Sequence, residues 1–147
     1  MSQENVQVVL DMVEGFNSTP RADLGRWVAD FFDPQIEWHD VPSLPGGGVH
    51  LGRDAYLRHV NEYREAWDTM SIVVEAIRAV GEQVVARIRY GGIGSQSGAD
   101  VGGPMSTPTG AVFDFRGRRI LRARQFVEYG EALEAVGLSE QDAHADS

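Results

Sequence analysis

The chain has 147 residues, 42% of them hydrophobic and 24% charged, with no cysteine and a formal charge of −9. That length and mixture suit one globular domain with its own buried core and exclude a chain disordered throughout. The lack of cysteine removes disulfides and thiol catalysis, and the acidic balance argues against general affinity for nucleic acid or anionic membrane, which needs clustered cations.

The N-terminal residues Met1 to Asn5 lack the basic region and apolar core of a secretory signal, and no apolar run spans a bilayer, so a cytoplasmic protein is expected. Residues 4–16 set Val6, Val9, Leu10, Val13 and Phe16 at helical spacing. Thr19-Pro20 has the form of an N-cap with proline at the first helical position. It would open a second helix that carries Leu24, Trp27, Val28 and Phe31 and stops before Asp33-Pro34. Ile36 to His39 is a short strand, and Pro42 to Gly48 is a loop. Arg53 to Trp67 is the clearest helix, with Tyr56, Val60, Tyr63 and Trp67 along one face.

From Ile72 the period changes to two. Ile72–Ala79 and Val84–Tyr90 read as strands joined at Gly81-Glu82, followed by a glycine-rich connection from Gly91 to Pro104. Ala111–Phe115 and Arg119–Val127 form a second hairpin around Arg116-Gly117. A short helix over 129–136 precedes an acidic tail at 139–147, expected to be disordered. Helices followed by a run of antiparallel strands predict an α+β domain over 1–138, a curved antiparallel sheet packed on N-terminal helices around a cone-shaped cavity.

The order of elements, the IEWHD strand with its PSLPGGG loop, the VHLGRDAYLRHVNEYREAW helix and the end FVEYGEALEAVGL resemble the nuclear transport factor 2-like (cystatin-like) superfamily, and within it the SnoaL-like polyketide cyclase group. The resemblance implies a cofactor-independent pocket protein, a cyclase- or isomerase-type general acid/base enzyme, and a homodimer. It places Glu128 where such cyclases carry an acid/base carboxylate, and Asp40 near the general base of the similar ketosteroid isomerases. Two features depart from it. The strand Ala111 to Phe115 has no histidine, and Arg87-Ile88-Arg89 replaces the Arg-x-Asp of similar epoxide hydrolases.

The residues themselves leave alternatives open. Glu128 shares a strand face with Phe126, where an apolar pocket would desolvate it and raise its pKa; it equally suits an exposed strand end or the anionic start of the following helix. Asp40 alternates with Trp38 and Ile36 toward the core, where it could remove a proton α to a carbonyl, or it could simply cap the loop. Tyr56, Tyr63, Trp67, Trp38, Met105 and Phe113 are core or pocket wall, their polar tips needing partners if buried. His50 and His59 show no metal-ligand spacing, so no metal and no cofactor are expected. Arg87 and Arg89 line one face of their strand, and the arginines at 116, 118, 119, 122 and 124 suit a solvated or interface face better than a nucleic-acid patch. The expected partner is a small apolar or aromatic, oxygen-bearing molecule. A non-catalytic binding or interaction module of the same fold is the other reading.

Overall fold

The computed structural model describes residues 2–41, 48–94 and 108–138, with the backbone alone at 2, 66–70 and 92–94. Met105, residues 42–47 of the PSLPGGG segment, most of the glycine-rich connection and the acidic tail lie outside the described residues. Helix α1 spans Ser2–Ser18, and α2 spans Leu24–Phe31 after a single 3-10 turn at Arg21–Asp23. The expected Thr19 cap is replaced by this turn: Pro20 has an extended backbone (ψ 150°) rather than a helical one. Strand β1 (Phe32–His39) follows α2 directly, then β2 (Val49–Leu51), α3 (Arg53–Ala66), β3 (Trp67–Val80), β4 (Gln83–Gly94), β5 (Thr109–Arg116), β6 (Arg119–Phe126) and α4 (Tyr129–Ala135).

Six strands form one curved sheet in the order β2-β1-β6-β5-β4-β3. The β3–β4 and β5–β6 hairpins turn at Gly81 and Gly117, whose φ values of 63° and 61° favour glycine. One pairing corrects the expected all-antiparallel sheet. β1 lies parallel to β6, with Trp38 beside Ala123 and His39 beside Arg124. Parallel neighbours require a long crossover, here the whole chain through α3 and both hairpins. β1 also begins earlier than the alternating pattern suggested. It runs through Pro34, where its register against β6 is irregular between Phe32 and Glu37, the kind of break at which a strand tolerates proline. β2 is too short to leave a periodic signal in the sequence.

Helices pack on both faces of the sheet. Helices α1 to α3 cover one, where Phe32, Ile36, Val84, Ala86, Phe113, Ile120 and Ala123 pack with Leu24, Trp27 and Val28 of α2. On the other, α4 seats Ala132 and Leu133 over Val85 and Val112, with Phe126 and Tyr129 alongside. The close approach of α4 depends on Gly110, where a Cβ would lie 2.7 Å from the Cβ of Ala132. Alternation along β4 therefore settles its orientation: Val84, Ala86 and Ile88 face the helices α1 to α3. Arg87 and Arg89 face away, where both approach Glu75 of β3, at 3.4 and 2.9 Å. Among the described residues no helix is long and apolar enough to cross a membrane.

Candidate functional site

Helix α3 is fixed at both ends by arginines eleven positions apart, about three turns. Near its start, Arg53 donates to the Phe32 carbonyl through Nε and Nη2, at 2.9 and 2.7 Å, and to the Ala29 carbonyl at 3.2 Å. Near its end, Arg64 donates to the Phe16 and Thr19 carbonyls and lies 5.1 Å over the Phe16 ring. These bonds satisfy carbonyls at the ends of α2 and α1 that have no partner within their own helices. The residues between the two arginines are thereby held against the end of β1.

Midway along that helix stands His59, only 5% exposed. Its Nε2 lies 2.8 Å from Asp40 Oδ2, at the point where the chain leaves β1. The Asp40 side chain is itself 9% exposed, and its Oδ1 accepts from the Val41 backbone N–H at 2.9 Å. A further bond, from the Asp40 N–H to the Gly48 carbonyl at 2.8 Å, closes the intervening loop at its base. Burial by itself would raise the Asp40 pKa. The His59 hydrogen bond, the Val41 N–H, the His59 charge and the neighbouring Trp38 indole outweigh it, and the carboxyl is held below its ordinary 3.8. Asp40 is therefore ionised at neutral pH and its bond to His59 is donated by the imidazole.

Aromatic side chains converge on this pair. Trp38 stacks on Tyr56 with ring centroids 4.7 Å apart, and Tyr56 packs on Phe32 at the same distance. The His59 ring meets the edge of Tyr63 at 4.9 Å and stacks on His50 of β2 at 4.0 Å. Burial, then the Asp40 charge, push the Tyr63 hydroxyl up to about 12. Burial raises Tyr56 and Tyr90 as well, and Asp40 contributes to both. Three phenols and one imidazole thus lie near one carboxylate, with Gln125 Nε2 donating to the Tyr90 hydroxyl at 3.2 Å. The Trp38 indole Nε1 is buried and has no hydrogen-bond partner among the described residues.

The predicted site residues divide accordingly. Asp40, Trp38, Tyr56 and Tyr63 come together in space. Phe113 is fully buried in the core on the same sheet face. The rest are placed differently. Phe126 has the same strand parity as Arg122 and Arg124 and packs under α4, on the opposite side of the sheet from Asp40. Glu128 is exposed rather than desolvated and precedes α4 as its N-cap, its N–H donating to Glu131 Oε1 at 3.1 Å. Trp67 does not extend the α3 stripe, because the helix ends at Ala66 and Trp67 begins β3.

His59 is the residue that sequence spacing passed over. Its signal was present: it falls three residues after Tyr56 and four before Tyr63, on the same helical face. The arginine-rich hairpin is engaged within the fold. Arg116 donates to Gln35 at 2.8 Å, Arg119 to the Ala29 carbonyl at 3.2 Å and Arg122 to Asp114 at 3.1 Å. No grouping of three or more metal-ligating side chains occurs among the described residues.

A family model described as a SnoaL-like domain matches residues 9–123. Among solved structures, Bal32a from a soil-derived mobile gene cassette is similar over 84% of this chain and 88% of its own, at 21% identity and a TM-score of 0.71. A putative SnoaL-like polyketide cyclase from Jannaschia sp. CCS1 is 19% identical, with 85% of each chain covered and a TM-score of 0.70. TerC co-crystallized with polyporic acid is 15% identical over 90% of this chain and 98% of its own, with a TM-score of 0.70. No curated protein matches the sequence.

Proposed function

The chain belongs to the SnoaL-like domain family, and from that membership and the chemistry around Asp40 we propose that it binds a small apolar, oxygen-bearing molecule and turns it over by cofactor-independent acid/base catalysis. The observation that carries this reading is the buried Asp40–His59 pair at 2.8 Å, surrounded by Trp38, Tyr56, Tyr63 and Tyr90. Asp40 accepts a proton from the carbon α to a carbonyl. The neighbouring hydroxyls stay protonated well above neutral pH and can donate to the oxygen on which charge develops. Returning the proton to a different atom gives isomerisation; attack of the carbanion on a second carbonyl gives cyclisation. That a similar structure, TerC, was co-crystallized with polyporic acid supports a small organic molecule as the ligand.

One observation favours a non-catalytic binder of the same fold. A carboxylate held below its ordinary pKa is a weaker base than one raised by burial. The expected result for either reading is a rise in thermal stability with some members of a panel of polycyclic ketones, phenols, terpenoids and steroids. A ligand at one hundred times its Kd adds about 2.7 kcal/mol. No response across the panel would overturn the pocket reading, and binding without turnover would select the binder.

The exposed face of β3 and β4, with Val73 half exposed beside the Glu75, Arg87 and Arg89 cluster, supports assembly as a homodimer. The expected mass in solution at micromolar concentration is twice that of the chain, and a monomeric mass overturns this.

A further inference from the structure

Strand β3 ends the sheet, so one side of its backbone faces no further strand among the described residues. Such an edge is a template for a strand from another chain, and folded proteins blunt it with bulges, charges or a covering segment. β3 carries two irregularities against β4, one between Trp67 and Thr69 and one between Val74 and Ala76. Between them the register is unbroken, from Thr69 opposite Ile93 to Val74 opposite Ile88. This regular stretch contains the β-branched run Ile72, Val73 and Val74, which favours strand pairing.

Asn17, in the last turn of α1, meets that stretch at Ile72. Its Nδ2 donates to the Ile72 carbonyl and its Oδ1 accepts from the Ile72 N–H, both at 2.8 Å. Both backbone groups of Ile72 therefore point away from β4, as the antiparallel ladder requires of every second residue. A side-chain amide carries the same donor and acceptor as a peptide unit, so Asn17 makes the two bonds that a residue of an added strand would make. Helix propensity gives no reason for an asparagine here. Near the other end of α1, Asn5 Nδ2 donates to the Glu82 carbonyl at 2.8 Å, at the turn between β3 and β4. The two asparagines tie α1 to the middle of β3 and to the turn that follows it.

We infer that Asn17 stands in for a neighbouring strand and closes the β3 edge to a second copy of this chain. Two such edges are complementary to each other. In an antiparallel pairing about a twofold axis at Ile72, Ile72 falls opposite Ile72 of the second copy and Met70 opposite Val74, all with outward-facing backbone groups. Asn17 occupies the central pair, and the irregularities on either side keep the pairing from extending. The other edge strand, β2, has three residues and offers a second copy little to pair with. The inference is independent of any ligand, and the β3 edge is distinct from the β3–β4 face on which the homodimer proposal rests.

Sedimentation equilibrium on the full chain is expected to give one mass across the micromolar range for the unaltered protein. Asn17→Ala, a change at an exposed residue, is expected to rise toward twice that mass, whether the starting species is a monomer or a face-to-face dimer. Hydrogen exchange gives the location. At low concentration the Ile72 amide of Asn17→Ala is expected to exchange about tenfold faster than in the unaltered chain, and to regain protection as the mass rises. Val74→Pro removes an outward-facing N–H without touching the β3–β4 ladder, and added to Asn17→Ala it is expected to restore the original mass. A mass unchanged by Asn17→Ala, or a rise that survives Val74→Pro, overturns the inference. In the unaltered chain, an Ile72 amide that exchanges as fast as an open edge, or gains protection with concentration, overturns it whether or not the variants fold.

Discussion

Asp40→Asn is expected to lower kcat about 100- to 10,000-fold on a ketone that the protein turns over, the usual range for loss of a general base. Asparagine retains an acceptor oxygen for the His59 N–H, so the variant should fold and bind, and KM should change much less than kcat. The same assay separates the two carboxylates that the sequence offered. Glu128 is exposed at the start of α4, on the far side of the sheet, and Glu128→Gln is expected to leave kcat within about twofold. A large loss in Glu128→Gln with a small one in Asp40→Asn would reverse the assignment. The pH profile gives an independent check. Because His59 and Val41 hold the Asp40 carboxyl below 3.8, the acidic limb of kcat/KM should lie below that value, leaving the rate flat through mildly acidic pH.

His59→Leu is expected to have the larger effect on stability. It removes one partner of a buried pair and leaves the Asp40 carboxylate with the Val41 N–H and the neighbouring Trp38 and Tyr63 side chains. Breaking such a pair costs about 3–5 kcal/mol, read from urea denaturation at neutral pH. His59→Gln, which keeps a side-chain N–H, should lose less. The dependence on pH carries the sign of the effect. In the unaltered protein the folded pKa of Asp40 lies below its unfolded value, so its contribution is fully present above about 3.8 and disappears as the pH falls through the folded pKa.

In His59→Leu the main influence opposing burial is gone, so the Asp40 carboxyl is expected to move up from its position in the unaltered protein. Its contribution to the slope of stability against pH is accordingly expected to shrink. The stability gap between the two proteins should therefore narrow as the pH is lowered toward 3. A gap that stays constant with pH would show that His59 acts by packing alone. The stack on His50 and the edge contact with Tyr63 provide the packing that such a result would point to.

The locations of the helices and of the two hairpins were legible because periodicity is a local property. Val9, Val13 and Phe16 on α1, and Val84, Ala86 and Ile88 on β4, repeat at the spacing of the element they build and are buried where that spacing says. The turn glycines Gly81 and Gly117 were legible for the same reason, since a positive φ is a demand on one residue. Asp40 was found because it continues the alternation of Ile36 and Trp38 to the last residue before the loop.

What the tertiary structure decided is the set of relations between elements. The parallel seating of β1 on β6 joins segments more than eighty residues apart, and no local pattern distinguishes it from an antiparallel one. The partner of Asp40 could not be read from spacing along the chain. His59 lies nineteen residues away on a helix whose depth and rotation are set by Arg53 and Arg64, each bonded to carbonyls of other helices or of β1. Glu128 looked equivalent to Asp40 because both are acids at strand ends. The side of the sheet that each faces separates them, since alternation carries Phe126 under α4 and leaves Glu128 to solvent at its cap. The sequence by itself determined the elements, their apolar faces and the presence of an acid at the end of β1. Only packing decided that this acid is buried, ionised and paired with an imidazole beside the Trp38 indole, because burial and pairing depend on what the rest of the chain brings to the same place.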